Sequence, residues 1–516
     1  MNAWRDNIFG GAPETHIRLP HLGIGYLVVI GALFVLEPSL RGQTFKPESY
    51  QANSKTAGIQ EAIDAAAKAG GGTVQISAGT FTLHAAEGHP AILLRSRVNL
   101  VGAGPGRTIL KLGPSPKTYQ AVMMNQSYGN PDAAEPDHDI TLQGFTIDVA
   151  ASDQALRETK LISDIPAGGE QEVILESMEG IHIDSVLRVH AGQNEEIAPI
   201  IRLSGGRYHA RLLRPHKAGA IVTLLAERLH GLALVGAHNV TLQDVTIQNA
   251  PMDGIYLTNT ADATQHHTFS QKINIQKCNF IACHRNGISI IDADDVTIAN
   301  NNFREITGDP GAPVDVEPNN PEQHGNRIAI RDNVAYRCYR GITLALRLSG
   351  PTSENFRGES ITGNKIVGVF FEQGISVLSQ QAGAVISGNT IADPGGDGIL
   401  LVGSSQVRVT SNVITNPGRC HVLGNCRKSA AAAGIHLIDD VQGSRTVSGN
   451  GNVVTGNIIK DTQRPPTMLY GIDFSSTGAG NVIEQNVVSG FEPARGMVVH
   501  VSGKADSNKI SGNSIQ

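Results

Sequence analysis

Asp315 and Glu317 stand two residues apart in the segment APVDVEPN (312–319), alternating with Val314 and Val316. Alternate residues of a strand point to the same face, so these two carboxylates share one side with Cα atoms about 6.5–7 Å apart. A carboxylate pair of this kind can divide the acid and the base or nucleophile roles of glycosidic hydrolysis. With Asp292 it also offers hard oxygen ligands for Ca²⁺. A cation there would neutralise a uronate while His284, Arg285 or Arg340 assists removal of the C5 proton, which is the chemistry of a lyase. The competing structural role is an ion network in which Asp315 and Glu317 pair with Arg285 and Arg340 and order the following loop.

The surrounding sequence says how these groups would be brought together. A Gly-Ile phrase recurs in MDGIYLTN (252–259), RNGISIID (285–292), YRGITLAL (339–346), EQGISVLS (372–379) and GDGILLVG (396–403), and APVDVEPN aligns with it. With Ile255, Ile288, Val314, Ile342, Ile375 and Ile399 facing inward, the outward column is Tyr256, Ser289, Asp315, Thr343, Ser376 and Leu400. Glu317 falls in the next outward column. His284, Arg285, Asp292 and Arg340 fall near its edges, with Arg347 and Glu372 beside them. The candidate catalytic residues are therefore Asp315, Glu317, His284, Arg285 and Arg340. The candidate substrate contacts are Tyr256, Asp253, Asp292, Arg347 and Glu372, and Asp315, Glu317 and Asp292 are the ligands if Ca²⁺ is used. Asp253 and Asp397 each precede Gly-Ile and also suit a turn.

Between the Gly-Ile phrases runs a second one: a β-branched stretch, an Asn, and another short stretch, as in SITGNKIV (360–367), AVISGNTI (384–391) and VRVTSNVI (407–414). Asn279, Asn302, Asn333, Asn364, Asn389, Asn412, Asn457, Asn486 and Asn513 hold this position. The interval varies from 23 residues (Asn389 to Asn412) to 45 (Asn412 to Asn457), so strand length is held while loops vary. No single unit could bury its apolar face alone, and a stack of coils is the physical solution. Asn tolerates left-handed backbone and bonds locally, so it is expected at the sharp turn, with stacked amides forming a ladder. The fold class expected is all-β, a right-handed parallel β-helix.

Composition agrees. Gly is 58 of 516 residues and charged residues are 17 %, against a usual ~25 %, which suits many turns between stacked strands and excludes a disordered chain or a charged coiled coil. The net charge of −6 supplies no basic field for nucleic acid. Residues 22–36 are an uncharged apolar run too short to span a bilayer; within residues 1–42 they read as a secretory signal, so the protein is expected to be secreted or periplasmic, with no stable membrane span. Cys420 and Cys426 flank a short loop and could pair in an oxidising compartment. Residues 58–69 read as an amphipathic helix stopped by Gly70-Gly71-Gly72, a cap for the open end of the solenoid. Expected domains are the cap and first coils (46–150), a small antiparallel β insertion (151–235) and the main β-helix (236–516).

The phrases IQEAIDAAAKAGGGTVQISAGTFTL and VNLVGAGPGRTILKL, within 58–112, resemble the start of pectate-lyase-superfamily β-helix proteins, and the repeats after 240 resemble the general right-handed β-helix repeat family. The Asp-Pro-His motif of mannuronan epimerases and the Trp-Ile-Asp-His phrase of pectate lyases are absent, as is the Arg-Ile-Lys of polygalacturonases, so no subfamily follows by motif. The resemblance implies an exported enzyme acting on a polysaccharide, acidic or neutral, by elimination or hydrolysis. A glycan-binding surface module and a polyuronate C5-epimerase are the alternatives.

Overall fold

The computed structural model describes residues 42–516 apart from 51–53, 87, 115–120, 130–134, 167–169, 184, 191, 213, 226–228, 261–267, 309–310, 347–354, 420–431, 491–496 and 505. The expected signal segment, Cys420, Cys426 and Arg347 lie outside the described residues. Helix Ile59–Lys68 carries Ile59, Ala62, Ile63 and Ala66 on its buried face and leads into Gly72–Gln75, which pairs in parallel with Thr44–Phe45 and with the next coil. These strands stack coil on coil into a sheet of 25 and a sheet of 12. The fold is a right-handed parallel β-helix with a helical cap.

In the larger sheet most coils contribute two short strands joined by one sharp bend. The bend is made by a residue of positive φ immediately before the buried amide: Gly363 before Asn364, Gly388 before Asn389, Ser411 before Asn412 and Gly456 before Asn457. The left-handed residue is thus the one preceding the Asn, not the Asn itself as expected. The Asn instead supplies hydrogen bonds. Asn412 Nδ2 donates to Ile386 O at 3.0 Å and to Asn457 Oδ1 at 3.0 Å, while Asn412 Oδ1 accepts from Asn389 N and Asn389 Nδ2 at 3.0 and 2.9 Å. The same exchange runs from Asn301 through Asn333, Asn364, Asn389, Asn412, Asn457 and Asn486 to Asn513. The rung lies at Asn301 rather than the expected Asn302, which points outward and meets Asn279 across an exposed 3.2 Å bond. In the coil before, the rung lies not at the expected Asn279 but at buried Cys278, whose N–H is held by Asn301 Oδ1 at 2.8 Å. Near the C-terminal end a second ladder, Asn452–Asn481–Asn508, runs beside the first.

The twelve-stranded sheet carries the Gly-Ile phrases. Its register runs Leu232, Ile255, Ile288, Val314 on the inner side and Ala233, Tyr256, Ser289, Asp315, Thr343, Ser376, Leu400 on the outer. The Gly before each Ile marks a close approach between coils: a Cβ on Gly254 would stand 2.6 Å from Gly287 O, and one on Gly398 2.5 Å from Gly434 O.

Between Asp148 and His230 the chain leaves the coil. Strands Ala155–Lys160 through Ile221–Leu225 form a six-stranded antiparallel sheet with its own core of Leu161, Leu187, Val189, Ile200 and Val222. Strand His230–Val235, at the end of the segment 151–235, pairs in parallel with Ile255–Thr258 and belongs to the helix. The inserted module packs on the turns that precede the outer column. Arg211 lies over the rings of Tyr339 and Phe371, 5.1 and 5.7 Å from their centroids, and Val186 and Leu225 cluster with Met252.

Removing one ladder amide strips a buried backbone N–H and a buried carbonyl of their partners, each worth about 1–3 kcal/mol. Asn412→Ala is therefore expected to cost at least about 2 kcal/mol in denaturant unfolding, while Asn302→Ala, on the exposed side, should cost a few tenths.

Candidate functional site

The turn before Gly254 and the turn before Gly287 stack on each other, and this puts Asp253 against Arg285 and Asn286. Asp253 Oδ1 accepts the Asn286 N–H at 2.9 Å, and its Oδ2 faces Arg285 Nη1 at 3.1 Å and His230 Nδ1 at 3.3 Å. Burial alone would raise the Asp253 carboxyl, but the Arg285 charge and His230 outweigh it and hold it below the usual range. Arg285 is held more firmly protonated by the same carboxylate and, second, by Glu317. Its other nitrogen, Nη2, reaches Glu317 Oε2 at 3.5 Å, the outer limit of a hydrogen bond. Asn286 spans the two turns: its Nδ2 donates to Ser289 Oγ at 2.9 Å and reaches Asp315 Oδ2 at 3.5 Å, and its Oδ1 accepts the Ala312 N–H at 2.8 Å.

Asp315 occupies the expected outward column, yet it is only 1 % exposed. Its Oδ1 has no hydrogen-bond partner among the described residues. Burial pushes its carboxyl up to about 7, helped by the Glu317 charge and opposed by Arg340 and Arg285. Glu317 and Arg285 form the accessible rim, 28 % and 24 % exposed. Beside them the Tyr256 ring stacks on His230 with centroids 4.7 Å apart, and burial raises its phenol above the ordinary value. The arrangement is thus an accessible carboxylate and guanidinium in front of a covered carboxyl that is part-protonated at neutral pH. Such a pair can take up and give back one proton.

The remaining candidates fall elsewhere. His284 is part-exposed at its edge, but its Nδ1 is covered and without a hydrogen-bond partner among the described residues, and desolvation pushes the imidazole down to about 4. It is neutral at physiological pH. Arg340 acts on Asp315 through its charge. Glu372 sits in the next turn, beyond the Arg340 coil, where its carbonyl accepts the Gly396 N–H at 2.9 Å. Asp292 is fully buried at the far end of its strand. Asn259 Nδ2 donates to its Oδ2 at 2.8 Å, and the His324 N–H to its Oδ1 at 2.8 Å. Those bonds tie Asp292 to loop closure, so it does not converge with Asp315 and Glu317. Among the described residues no group of three His, Cys, Asp or Glu side chains is placed to hold a metal ion.

Two groups of residues escaped sequence reasoning. Asn286 shares its turn position with Asp253, and that alignment was the available signal. Continuing the Gly-Ile alignment through Gly434-Ile435 and Gly471-Ile472 places His436 and Asp473 in the Asp315 column, and the register extends it to His500. There His436 Nδ1 stands 3.2 Å from Asp397 Oδ2, His436 Nε2 3.4 Å from Asp473 Oδ2, and His500 Nδ1 3.0 Å from Asp473 Oδ1.

The family model for the right-handed beta helix region matches residues 227–376, 265–427 and 373–516. Among curated proteins, the mannuronan C5-epimerase AlgE4 of Azotobacter vinelandii is 40% identical over 90 residues, which is 17% of this chain and 16% of that protein. Alginate lyase 7 of the same organism is 37% identical over 97 residues, 18% of this chain and 10% of that protein. The chain thus spans about a sixth or less of the length of these relatives. Among solved structures, the A-module of A. vinelandii AlgE4 superposes with a TM-score of 0.60 at 15% identity, covering 91% of this chain and 100% of that one, a likeness of fold. No helix among the described residues is long and apolar enough to cross a membrane.

Two buried carboxyls give this structure a pH signature. Asp315 is raised to about 7, and Glu359, buried with Oε2 accepting from Gln380 Nε2 at 2.6 Å, is raised by desolvation to about 8. Both hold a proton more tightly folded than unfolded. Their contribution to stability is therefore complete below the unfolded-chain values and is lost as pH rises through about 7 and 8, at up to about 1.4 kcal/mol per pH unit and group. Asp315→Asn and Glu359→Gln should each flatten this decline in urea midpoints measured from acid to alkaline pH.

Proposed function

The chain belongs to the right-handed β-helix family, and from that premise we propose that it acts on a polysaccharide, a polyuronate, by removing the C5 proton of a sugar residue bound over Glu317 and Arg285. The observation that carries this is the pairing of an accessible carboxylate with a covered carboxyl raised to about 7, in adjacent outer columns of a long parallel sheet. Burial, helped by the neighbouring Glu317 charge, keeps Asp315 part-protonated near neutral pH. Glu317 is the accessible member and takes the proton.

Arg285 is prepared for an anionic sugar. Asp253 and its backbone partners fix the guanidinium from behind, and the long 3.5 Å contact to Glu317 is the one an incoming carboxylate can replace. Replacing it frees Glu317 as base and brings positive charge to the carboxylate that gathers electron density as the C5–H bond breaks. Tyr256, stacked on His230, offers a ring edge at the same rim. Departure of the 4-linked oxygen, which takes a proton from solvent as the C4=C5 double bond forms, then gives an unsaturated product. Return of a proton to the opposite face gives the epimer instead, an alternative favoured by the local similarity to mannuronan C5-epimerases. Export through residues 22–36, which would bring the protein to a polymer outside the cell membrane, is part of the same proposal.

Incubating the protein with polymannuronate, polyguluronate and polygalacturonate in D₂O separates the outcomes. Unsaturated ends mean elimination, C5 deuterium in intact polymer means epimerisation, and reducing ends without unsaturation mean hydrolysis. Glu317→Gln is expected to lower kcat by at least about a hundredfold, the usual scale of a lost general base. Arg285→Lys should act mainly on KM, because the fixed fork is lost while the charge stays. Full activity in Glu317→Gln would overturn the assignment.

A further inference from the structure

The outer column does not end at Asp315. Six rungs further along the register, about 29 Å at a rung spacing near 4.8 Å, stands His500. The intervening rungs change character: Thr343 and Ser376 bond to each other at 3.1 Å, Leu400 is apolar, and then His436, Asp473 and His500 follow in successive coils. With Asp397 they form a continuous chain of alternating carboxylate and imidazole, each contact between 3.0 and 3.4 Å.

The chain opens in one direction. The Asp397 and Asp473 side chains are almost fully buried and His436 is 12 % exposed, whereas His500 is 30 % exposed. Asp473 Oδ1 also accepts from Ser475 Oγ at 2.7 Å, and Ser502 Oγ donates to Ser475 Oγ at 2.7 Å, so a file of hydroxyls runs beside the imidazoles. At the open end the rings of Tyr470 and His500 stack with centroids 4.2 Å apart and planes 10° from parallel. His500 Nε2 makes no hydrogen bond among the described residues.

Such an arrangement is costly as mere scaffolding. The preceding rung shows that Leu fills this column, and burying a file of ionisable groups is at best neutral against apolar packing. What the file does provide is an imidazole edge, a flat aromatic pair and two hydroxyls, all held in one orientation by buried partners. Fixed hydrogen-bonding groups next to an aromatic surface are what a pyranose requires, since it presents an apolar C–H face and a rim of hydroxyls.

We propose that Tyr470, His500 and Ser502, positioned by Asp473, His436 and Asp397, form a pyranose-binding site on the same sheet face as the Asp315 group and about 29 Å from it. This deepens the polysaccharide reading above and rests on it: one extended chain lying along the solenoid axis would reach both places, and the distal site would hold the polymer without reacting with it. His436 lies between Asp397 and Asp473, and His500 faces Asp473 and the Tyr470 ring, so the binding groups of this site are distinct from Arg285 and Glu317.

The test uses the whole chain with oligomannuronate as the acidic probe and a gluco-oligosaccharide as the neutral one, each titrated while the imidazole signals of His436 and His500 are followed by NMR. Saturable shifts with either sugar support the site. His500→Gln and Tyr470→Leu should each weaken that binding at least about tenfold without moving the thermal midpoint, whereas Asp315→Asn/Glu317→Gln should leave it within about twofold. On polymer, the same two variants should raise KM and leave kcat unchanged. Absence of any imidazole shift with both sugars, or unchanged affinity in His500→Gln and Tyr470→Leu, overturns the site even if the polymer is turned over. Binding at His500 in a protein that turns over no polyuronate would leave the distal site standing and sink only the assignment of Glu317.

Discussion

Everything in this molecule depends on coil-to-coil registration, and the buried amide ladder is what enforces it. A parallel sheet alone tolerates slippage between coils of different length, because backbone hydrogen bonds repeat every two residues. An Asn whose Nδ2 must meet both the next Asn and a carbonyl of the preceding coil does not. Asn412 and Asn457 are separated by a loop-bearing coil, yet they meet at 3.0 Å like their neighbours. Loops can therefore grow at the other corners while the strands of the twelve-stranded sheet stay in line, and side chains from distant segments become neighbours along one column.

That alignment explains the electrostatics at the acidic group. Asp253, Arg285, Asp315, Glu317 and Arg340 come from four successive coils, and each acts on the others through a few ångströms of protein rather than water. The outcome differs by position. Asp253 has a guanidinium in direct contact and stays ionised. Asp315 is equally buried but has only an amide at 3.5 Å, so desolvation wins and its carboxyl rises to about 7. The inserted antiparallel module adds to the enclosure. Its Arg211 packs on Tyr339 and Phe371, the turn residues beside this column, and gives the sheet face a wall that the bare solenoid would lack.

The His and Asp file at Asp397, His436, Asp473 and His500 uses the same alignment with different chemistry. Imidazole alternates with carboxylate, so two carboxyls never meet directly along the file, whereas in the Asp315 group two carboxyls fall in adjacent columns of one coil. One face thus carries a carboxyl pair with one member raised by burial and a file held by its own hydrogen bonds, separated by apolar and hydroxyl rungs.

The periodic phrases by themselves determined the stacked parallel coils, the cap, the antiparallel insertion and the outward column from Tyr256 to Leu400, because alternation along a strand and repetition between coils are properties of local sequence. They misplaced the first amide rung by one residue, at Asn302 for Asn301, because both neighbours are Asn and only burial distinguishes them. They also assigned the left-handed backbone to the Asn rather than to the residue before it. Tertiary structure decided the rest. Asp292, close in sequence to the candidate group, spends its oxygens on Asn259 and the His324 backbone. Asn286, marked in the sequence only by sharing Asp253's turn position, links Asp253 to Asp315. The covering of Asp315 and the meeting of His436 with both Asp397 and Asp473 exist only after coils separated by variable loops are stacked, since a side chain's solvation and charge environment are set by neighbours that the linear order does not specify.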